Sequence, residues 1–190
     1  LNDLNLMAIS PFGGDVITNI RGLISGSAQI TGKISAPDIL GNFVLKDSGL
    51  KVPYLNVDFD LDDRTSLIAT KDKIEILPSQ ITDTKFNTIG MLSGNATHNN
   101  FENWKLDLNV TTDNLVVLDT KLEEDKLFYG NAFISGKADI SGPLDELVID
   151  VVATTEKNTS FKIPLSDTES IGDDSFIKFL SPKEKEARLR

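Results

Sequence analysis

Hydrophobic residues recur with a period of two along almost the whole chain. Ile24, Gly26, Ala28, Ile30, Gly32 and Ile34 share one parity, while Ser25, Ser27, Gln29, Thr31 and Lys33 take the other. Val57, Phe59 and Leu61 alternate with Asp58, Asp60 and Asp62, and Leu106, Leu108 and Val110 with Lys105, Asp107 and Asn109. Ile149 and Val151 continue the pattern; Phe161, Ile163 and Leu165 close it. Alternation of this kind describes strands with one apolar and one wetted face, so the chain reads as all-β. Turn residues cluster in SAPD (35–38), KDSG (46–49), LDDRT (61–65), ATKDK (69–73), HNN (98–100) and EKNTS (156–160), where hairpins or corners are expected. A helical spacing occurs at the end: Phe176, Phe179 and Leu180 stand at i, i+3 and i+4 before Pro182. That spacing predicts a short amphipathic C-terminal helix within a linker over 166–190.

A phrase is written twice. ISGSAQITG at 24–32 returns as ISGKADISG at 134–142, and the text after each copy runs in parallel to Pro53 and Pro164. The stretch LSGNATHNNFENWKLDLNV at 92–110 reads as a degenerate third copy of the module's middle. The units are expected at about 10–60, 61–120 and 130–165, and repeated meanders of this type stack into an elongated sheet. Gly26, Gly32, Gly94 and Gly136 stand on the apolar parity, where a flat sandwich would carry Val or Ile. Two explanations fit: glycines that let the sheet bend or leave space above its inner face, or glycines that make room for bulky neighbours such as Phe43, Phe59 or Trp104.

Composition narrows the function. The 190 residues are 39% hydrophobic and 25% charged, within the range of folded globular chains. A net charge of −10 disfavours nucleic acid and simple docking on an anionic lipid surface. With no cysteine there is no disulfide, thiol nucleophile or thiolate metal site. No apolar run approaches the ~20 residues of a membrane-spanning helix, and a chain starting on Leu1 reads as a piece of a longer one.

No constellation for chemistry emerges, so an enzyme is not expected, nor a cofactor or metal. His98, the one histidine, lies in THNN and is expected at the surface. The acids of DFDLDD at 58–63 have the spacing of a calcium-loop start. The sixth position is Asp63 where Gly is needed, however, and the twelfth is Ala69 where Glu is needed, so a wet strand face is the better reading. Trp104 is expected to be an inward-facing or rim aromatic rather than a sugar-stacking platform.

At this length the motifs carry a family likeness. Ser10-Pro11-Phe12, Ile20-Arg21-Gly22, Gly26, Gly32, Pro37-Asp38-Ile39-Leu40-Gly41 and Leu50-Lys51-Val52-Pro53 follow one another in the order of the repeat unit of the AsmA-like/TamB superfamily. The second copy is similar at Gly136, Gly142-Pro143-Leu144-Asp145-Glu146-Leu147 and Phe161-Lys162-Ile163-Pro164, but has Asp150 where Gly is expected. The chain therefore resembles TamB proteins of the Bacteroidota type, as a segment before their C-terminal region. The resemblance implies a curved, tapered antiparallel sheet (a β-taco) with an apolar groove. It also implies a place in a periplasmic rod anchored in the inner membrane and reaching the outer membrane. There, through the missing C-terminal region, the rod meets a BamA-like barrel of the TamA type. The associated functions are phospholipid transport and support of outer-membrane protein assembly.

The residues expected to contact acyl chains are the apolar parity of each strand. They are Ile24, Ala28, Ile30, Ile34, Ile39, Phe43, Leu45, Val57, Phe59, Leu61, Leu106, Leu108, Ile134, Ala138, Ile140, Ile149, Val151, Phe161 and Ile163. Two alternatives stand beside this reading. One is a scaffold that guides outer-membrane strands by β-augmentation without conducting lipid. The other is a surface or adhesin module with a closed, dry core.

Overall fold

The computed structural model describes residues 1–8, 16–33, 36–122 and 128–163. Within them the alternating segments form one antiparallel sheet. Its strands are β1 (Leu4–Asn5), β2 (Thr18–Lys33), β3 (Ala36–Val52), β4 (Val57–Leu61), β5 (Ser66–Ala69), β6 (Lys73–Asp83), β7 (Ile89–Asn99), β8 (Glu102–Thr120), β9 (Tyr129–Pro143), β10 (Val148–Thr155) and β11 (Ser160–Lys162). The order across the sheet follows the chain, so the topology is a meander. The helix expected over 173–180, and the linker around it, lie outside the described residues.

Two of the expected turns join strands, ATKDK between β5 and β6 and HNN between β7 and β8; of SAPD, Ala36–Asp38 lie in β3 and Ser35 lies outside the described residues. Asn56, Asn87 and Asn100 take left-handed φ values of 52°, 56° and 51° in the β3–β4, β6–β7 and β7–β8 turns. Asparagine adopts that conformation more readily than other non-glycine residues. The other three expected corners are not corners. KDSG lies inside β3. LDDRT is an excursion in one strand path, since β4 and β5 both pair with β3 and with β6 in the same direction. EKNTS is the same device between β10 and β11, which both pair with β9. Ladder bonds bridge each excursion, from Leu45 N to Thr65 O at 2.9 Å and from Glu156 N to Phe133 O at 2.8 Å. A polar cluster serves a bulge as well as a hairpin, and the neighbouring strand decides which forms.

These irregularities line up. Register shifts fall between Thr18 and Leu23 on β2, between Ile76 and Ser79 on β6, and between Thr112 and Leu115 on β8, in line with the two excursions. Each adds local bend and twist, so a transverse band of bulges divides the sheet into two ends. At the end holding β4 the sheet curls until β4 meets β8, although β6 and β7 lie between them in the order. Val57, Val116 and Phe133 form the core there, with Val52, Leu55 and Phe59 packed around them. Burying each of these side chains is worth about 1.5–3 kcal/mol.

The repeated phrase is repeated structure. β2 and β3 pair Gly26 with Phe43 and Ile30 with Ile39; β9 and β10 pair Gly136 with Ala153 and Ile140 with Ile149. The two hairpins share one register. Their glycines also share one environment with Gly94, which pairs with Leu108. A Cβ would lie 2.2 Å from Asn42 O at Gly26, 2.2 Å from Asp107 O at Gly94 and 2.3 Å from Val152 O at Gly136. The glycines therefore permit close approach of the neighbouring backbone, and Gly26 also makes room for the Phe43 ring, which would lie 2.8 Å from a Cβ there.

At Gly94 the clash combines with a φ of +138°. Gly94→Ala is expected to cost about 1–3 kcal/mol of stability in urea unfolding. A loss within ~0.5 kcal/mol, as at an ordinary surface site, would show that the close approach is not constraining.

Candidate functional site: an apolar concave face

Pairing across the sheet sets side chains side by side on one face. One row reads Gly26, Phe43, Leu67, Ile76, Gly94, Leu108, Ile140 and Ile149, from β2 to β10. The next reads Ala28, Gly41, Ala69, Ile74, Ala96, Leu106 and Gly142. Leu92, Val110, Ala138 and Val151 make part of a third. No charged side chain stands in these rows. On the opposite face the matching row is Ser27, Asn42, Ile68, Glu75, Asn95, Asp107, Ser141 and Val148, mostly polar.

The apolar face is the concave one. Leu61 pairs with Ile81 and Ile81 with Gly90, and a Cβ on Gly90 would touch Leu115 and Ile81. Leu115 in turn pairs with Ile134, which shares its parity on β9 with Ala138 and Ile140. The same face thus runs from the open end into the curled one.

The sequence-predicted residues divide along that path. Ile24, Ile39, Phe43, Leu106, Leu108, Ala138 and Ile140 are half-buried on the open end. Ala28, Ile30, Ile149 and Val151 are exposed there, Ile30 at 67%. Leu45, Val57 and Ile134 are buried, at 7%, 2% and 8% exposure, and do not line an open surface. Phe59 packs on the Val57 cluster, and Leu61 lies beside it on β4, half-buried. The uninterrupted, unfilled gutter that the pattern suggests is therefore corrected at the curled end, where the sheet meets itself. Phe161 is exposed and stacks with Phe128 near the same end; Ile163 is exposed beyond β11. Ile34 lies outside the described residues. Leu67, Ile74 and Ile76 are additional members of the face, legible only in the short alternations SLIA and KIEIL, and Leu92 joins them at the start of the degenerate third copy.

Charge is held on the other face. Arg21 reaches from β2 across β3 to β4, donating to Asp60 Oδ1 at 2.5 Å and lying 2.7 Å from Asp58 Oδ1. The side chain passes over Gly49, where a Cβ would sit 2.4 Å from the guanidinium. Partial burial opposes the Arg21 charge, but hydrogen bonds to Asp60 and Asp58 win and raise its pKa further. On β9, Asp139 accepts from Asn109 Nδ2 at 2.6 Å and from Lys137 Nζ at 3.3 Å, and these bonds hold its carboxyl below the usual range. The acids of 58–63 are thus accounted for: Asp58 and Asp60 by Arg21, and Asp62 and Asp63 by the backbone amides of Arg64 and Asp47. Among the described residues no cluster of His, Asp and Glu could hold a metal ion. A separate hollow of about 650 Å³ lies off the concave face, between Gln80, Phe86, Met91, Thr111 and Ser135. Gln80, Met91 and Thr111 align there with exposed Lys137.

His98 is not at the surface, as its loop-like context suggests, but 7% exposed. Its ring stacks on Phe101 and leans on Trp104, both at 4.5 Å between centroids. Nδ1 accepts from Phe101 N at 3.0 Å, and Trp104 Nε1 donates to Phe101 O at 2.9 Å. The cluster caps the β7–β8 turn, which places Trp104 at the rim of the open end.

A one-sheet β protein with an open apolar concave face is the class these features define. A model of the TamB C-terminal domain matches residues 79–190, more than half of the chain, and the chain belongs to the TamB family of cell-envelope proteins. Neither the curated proteins nor the solved structures give a match.

Burial lowers the His98 pKa below 6.5, with Asp72 opposing. The unfolded chain then binds a proton more readily than the folded one. The stability that neutral His98 contributes is complete above pH 6.5 and is lost as pH falls through the lowered folded value. Thermal melts are expected to show a declining Tm across that window, and His98→Gln is expected to flatten it. Equal slopes in both proteins would refute the assignment.

Proposed function

We propose that the concave face is a groove for the acyl chains of phospholipids, within a TamB-like bridge that spans the periplasm from an inner-membrane anchor to the outer membrane. The observation that carries this reading is the unbroken row from Gly26 to Ile149, eight strands wide with no charged member. At ~4.8 Å between strands the row extends for about 34 Å. Moving a chain of ~16 carbons through water is unfavourable by on the order of 12 kcal/mol, at ~0.8 kcal/mol per methylene. A continuous apolar surface removes most of that cost, and the absence of fixed charge lets cargo slide. No cofactor and no chemical step is required. A BamA-like barrel is the outer-membrane partner in this reading, and support of barrel-protein assembly is the accompanying role.

One observation favours the second reading, a strand-donating scaffold. Every residue of β10 is exposed, at the edge of the described sheet, and Asp150 is its one charged side chain. Long, apolar, weakly charged edges invite pairing with another strand.

A photo-crosslinker placed at Ile140 or Val151 is expected to capture phospholipid in cells, and one at Asp107 or Lys137 is not. Capture confined to Asp107 and Lys137 would overturn the groove. Ile140→Arg is expected to lower lipid capture at Val151 by at least ~10-fold, the ~2.5–3.5 kcal/mol scale of a charge in an apolar medium, while client barrels still assemble. Loss of assembly with lipid capture intact would favour the edge instead.

A further inference from the structure

The first residues of the chain repeat the bulged end of β8. Leu1 exchanges both backbone bonds with Gly26 at 3.0 Å, Leu4 pairs with Ile24 and Asn5 with Leu23. On β9, Thr112 pairs with Gly136, Leu115 with Ile134 and Val116 with Phe133. In both places three steps along one strand oppose two along its partner, and the intervening residues are similar, Asn2-Asp3 and Asp113-Asn114. β1 is therefore a short copy of the end of β8, seated on β2 as β8 is seated on β9.

Beyond that point β8 supplies what β1 does not. Its Val110, Leu108 and Leu106 pair with Ala138, Ile140 and Gly142 of β9. The equivalent Ala28, Ile30 and Gly32 of β2 pair, among the described residues, with β3 alone. Ile30 is 67% exposed where Ile140 is half-buried. Gly26 turns both its backbone groups toward Leu1, so alternation turns those of Ala28, Ile30 and Gly32 to the same side, along an open edge. Edge strands that must stay single carry charge or proline. From Gly22 to Gly32, β2 has neither. Its copy inside the sheet has Lys137 and Asp139 where β2 has Ser27 and Gln29, so the charge stands on the strand that is already paired.

We propose that the outer edge of β2, from Ser27 to Lys33, accepts a strand of a client outer-membrane barrel protein. The added strand runs antiparallel to β2, in the register that β8 takes on β9. β8 shows the pattern the edge requires, with apolar residues opposite the positions of Ala28, Ile30 and Gly32 and polar residues between them. Barrel strands alternate in this way over ~10 residues. The client's lipid-facing side chains then lie on the concave face beside Ile30, and its polar ones on the wetted face. A second copy of this chain fits less well. Antiparallel pairing of β2 with itself about Ile30 would set Ala28 against Gly32, and a net charge of −10 on each chain opposes association. The site is at the opposite margin of the sheet from β10, and it rests on the barrel-assembly role proposed above, not on lipid conduction.

A fluorescent ten-residue peptide copying one membrane strand of a barrel protein is titrated against the chain. A second peptide has the same composition with its apolar residues run together. The alternating peptide is expected to bind and the second is not. Ile30→Pro removes an amide that faces away from β3, so the fold is retained. It is expected to weaken binding at least ~10-fold, the effect of one or two lost backbone bonds. Val151→Pro, its counterpart on the β10 edge, is expected to leave binding unchanged. Should the proline variant unfold, Ile30→Lys keeps the backbone and sets a charge where an apolar side chain of the client packs, with the same loss expected. Loss through Val151→Pro alone would move the acceptor to β10 and overturn the proposal, as would absent binding or equal binding of both peptides. A dimer in sedimentation that Ile30→Pro abolishes would overturn the client in favour of a second copy. In cells, barrel proteins that assemble normally without the chain would overturn the assembly role itself. Assembly that needs the chain but tolerates Ile30→Pro would overturn the β2 edge alone.

Discussion

A sheet with one apolar face must bury that face against something, and within the described residues this chain supplies no second layer. The solution it uses is curvature. Bulges on β2, β6 and β8, with the excursions after Leu61 and Thr155, weaken the flat ladder along one line and let the sheet turn on itself. On one side of the line the turn is complete, and Val57 meets Val116 and Phe133. On the other side the strands stay splayed, and Ile30, Ile149 and Val151 remain more than half or about half exposed. The folded state is thus stabilised at one end by hydrophobic burial and at the other mainly by the hydrogen-bonded ladder. That imbalance leaves the unburied end available to a ligand.

The glycines make the imbalance possible. At Gly26, Gly94 and Gly136 the neighbouring strand's carbonyl stands where a Cβ would be, so any other residue would push the strands apart in each of three hairpins. Gly49 plays the corresponding part on the wet face, where its missing side chain lets Arg21 cross β3 and tie β2 to the acids of β4. Curvature toward the apolar side is thus permitted by glycine on one face, while the Arg21 bridge pins three strands together on the other.

Much of this was legible in the alternation. Parity gave the shared face of β2, β3, β8, β9 and β10 up to the band of bulges, because a period of two has no other regular reading. The duplicated phrase carried more than composition could, since its two copies adopt one register. What pattern could not supply was the partner of each segment. KDSG, LDDRT and EKNTS look like hairpin turns because bulges draw on the same small and polar residues; only the strands on either side decide. Closure was illegible for a related reason. Val57 and Ile140 stand on identical parities, yet one is in the core and the other on the open surface, and the difference lies in how far the sheet curls at each height. His98 escaped because its burial comes from Phe101 and Trp104 folding back over a turn, an arrangement that no periodicity records.

The division of labour between edges and middle follows from these contacts. The two hairpins that share a register, β2–β3 and β9–β10, stand toward opposite margins of the sheet and carry its plainest apolar alternation. The departures from the repeat, β4 to β7 and the bulged end of β8, lie between them and supply Val57, Phe59 and Val116 to the core. Repeat units extend a surface by copying it, since each copy needs only its neighbour's ladder. A unit that breaks the copy can instead turn back and meet a strand several places away, as β4 meets β8. The irregular middle is therefore what converts a repeated apolar face into a concave one with a closed end, and a chain built only of faithful copies would have no reason to close.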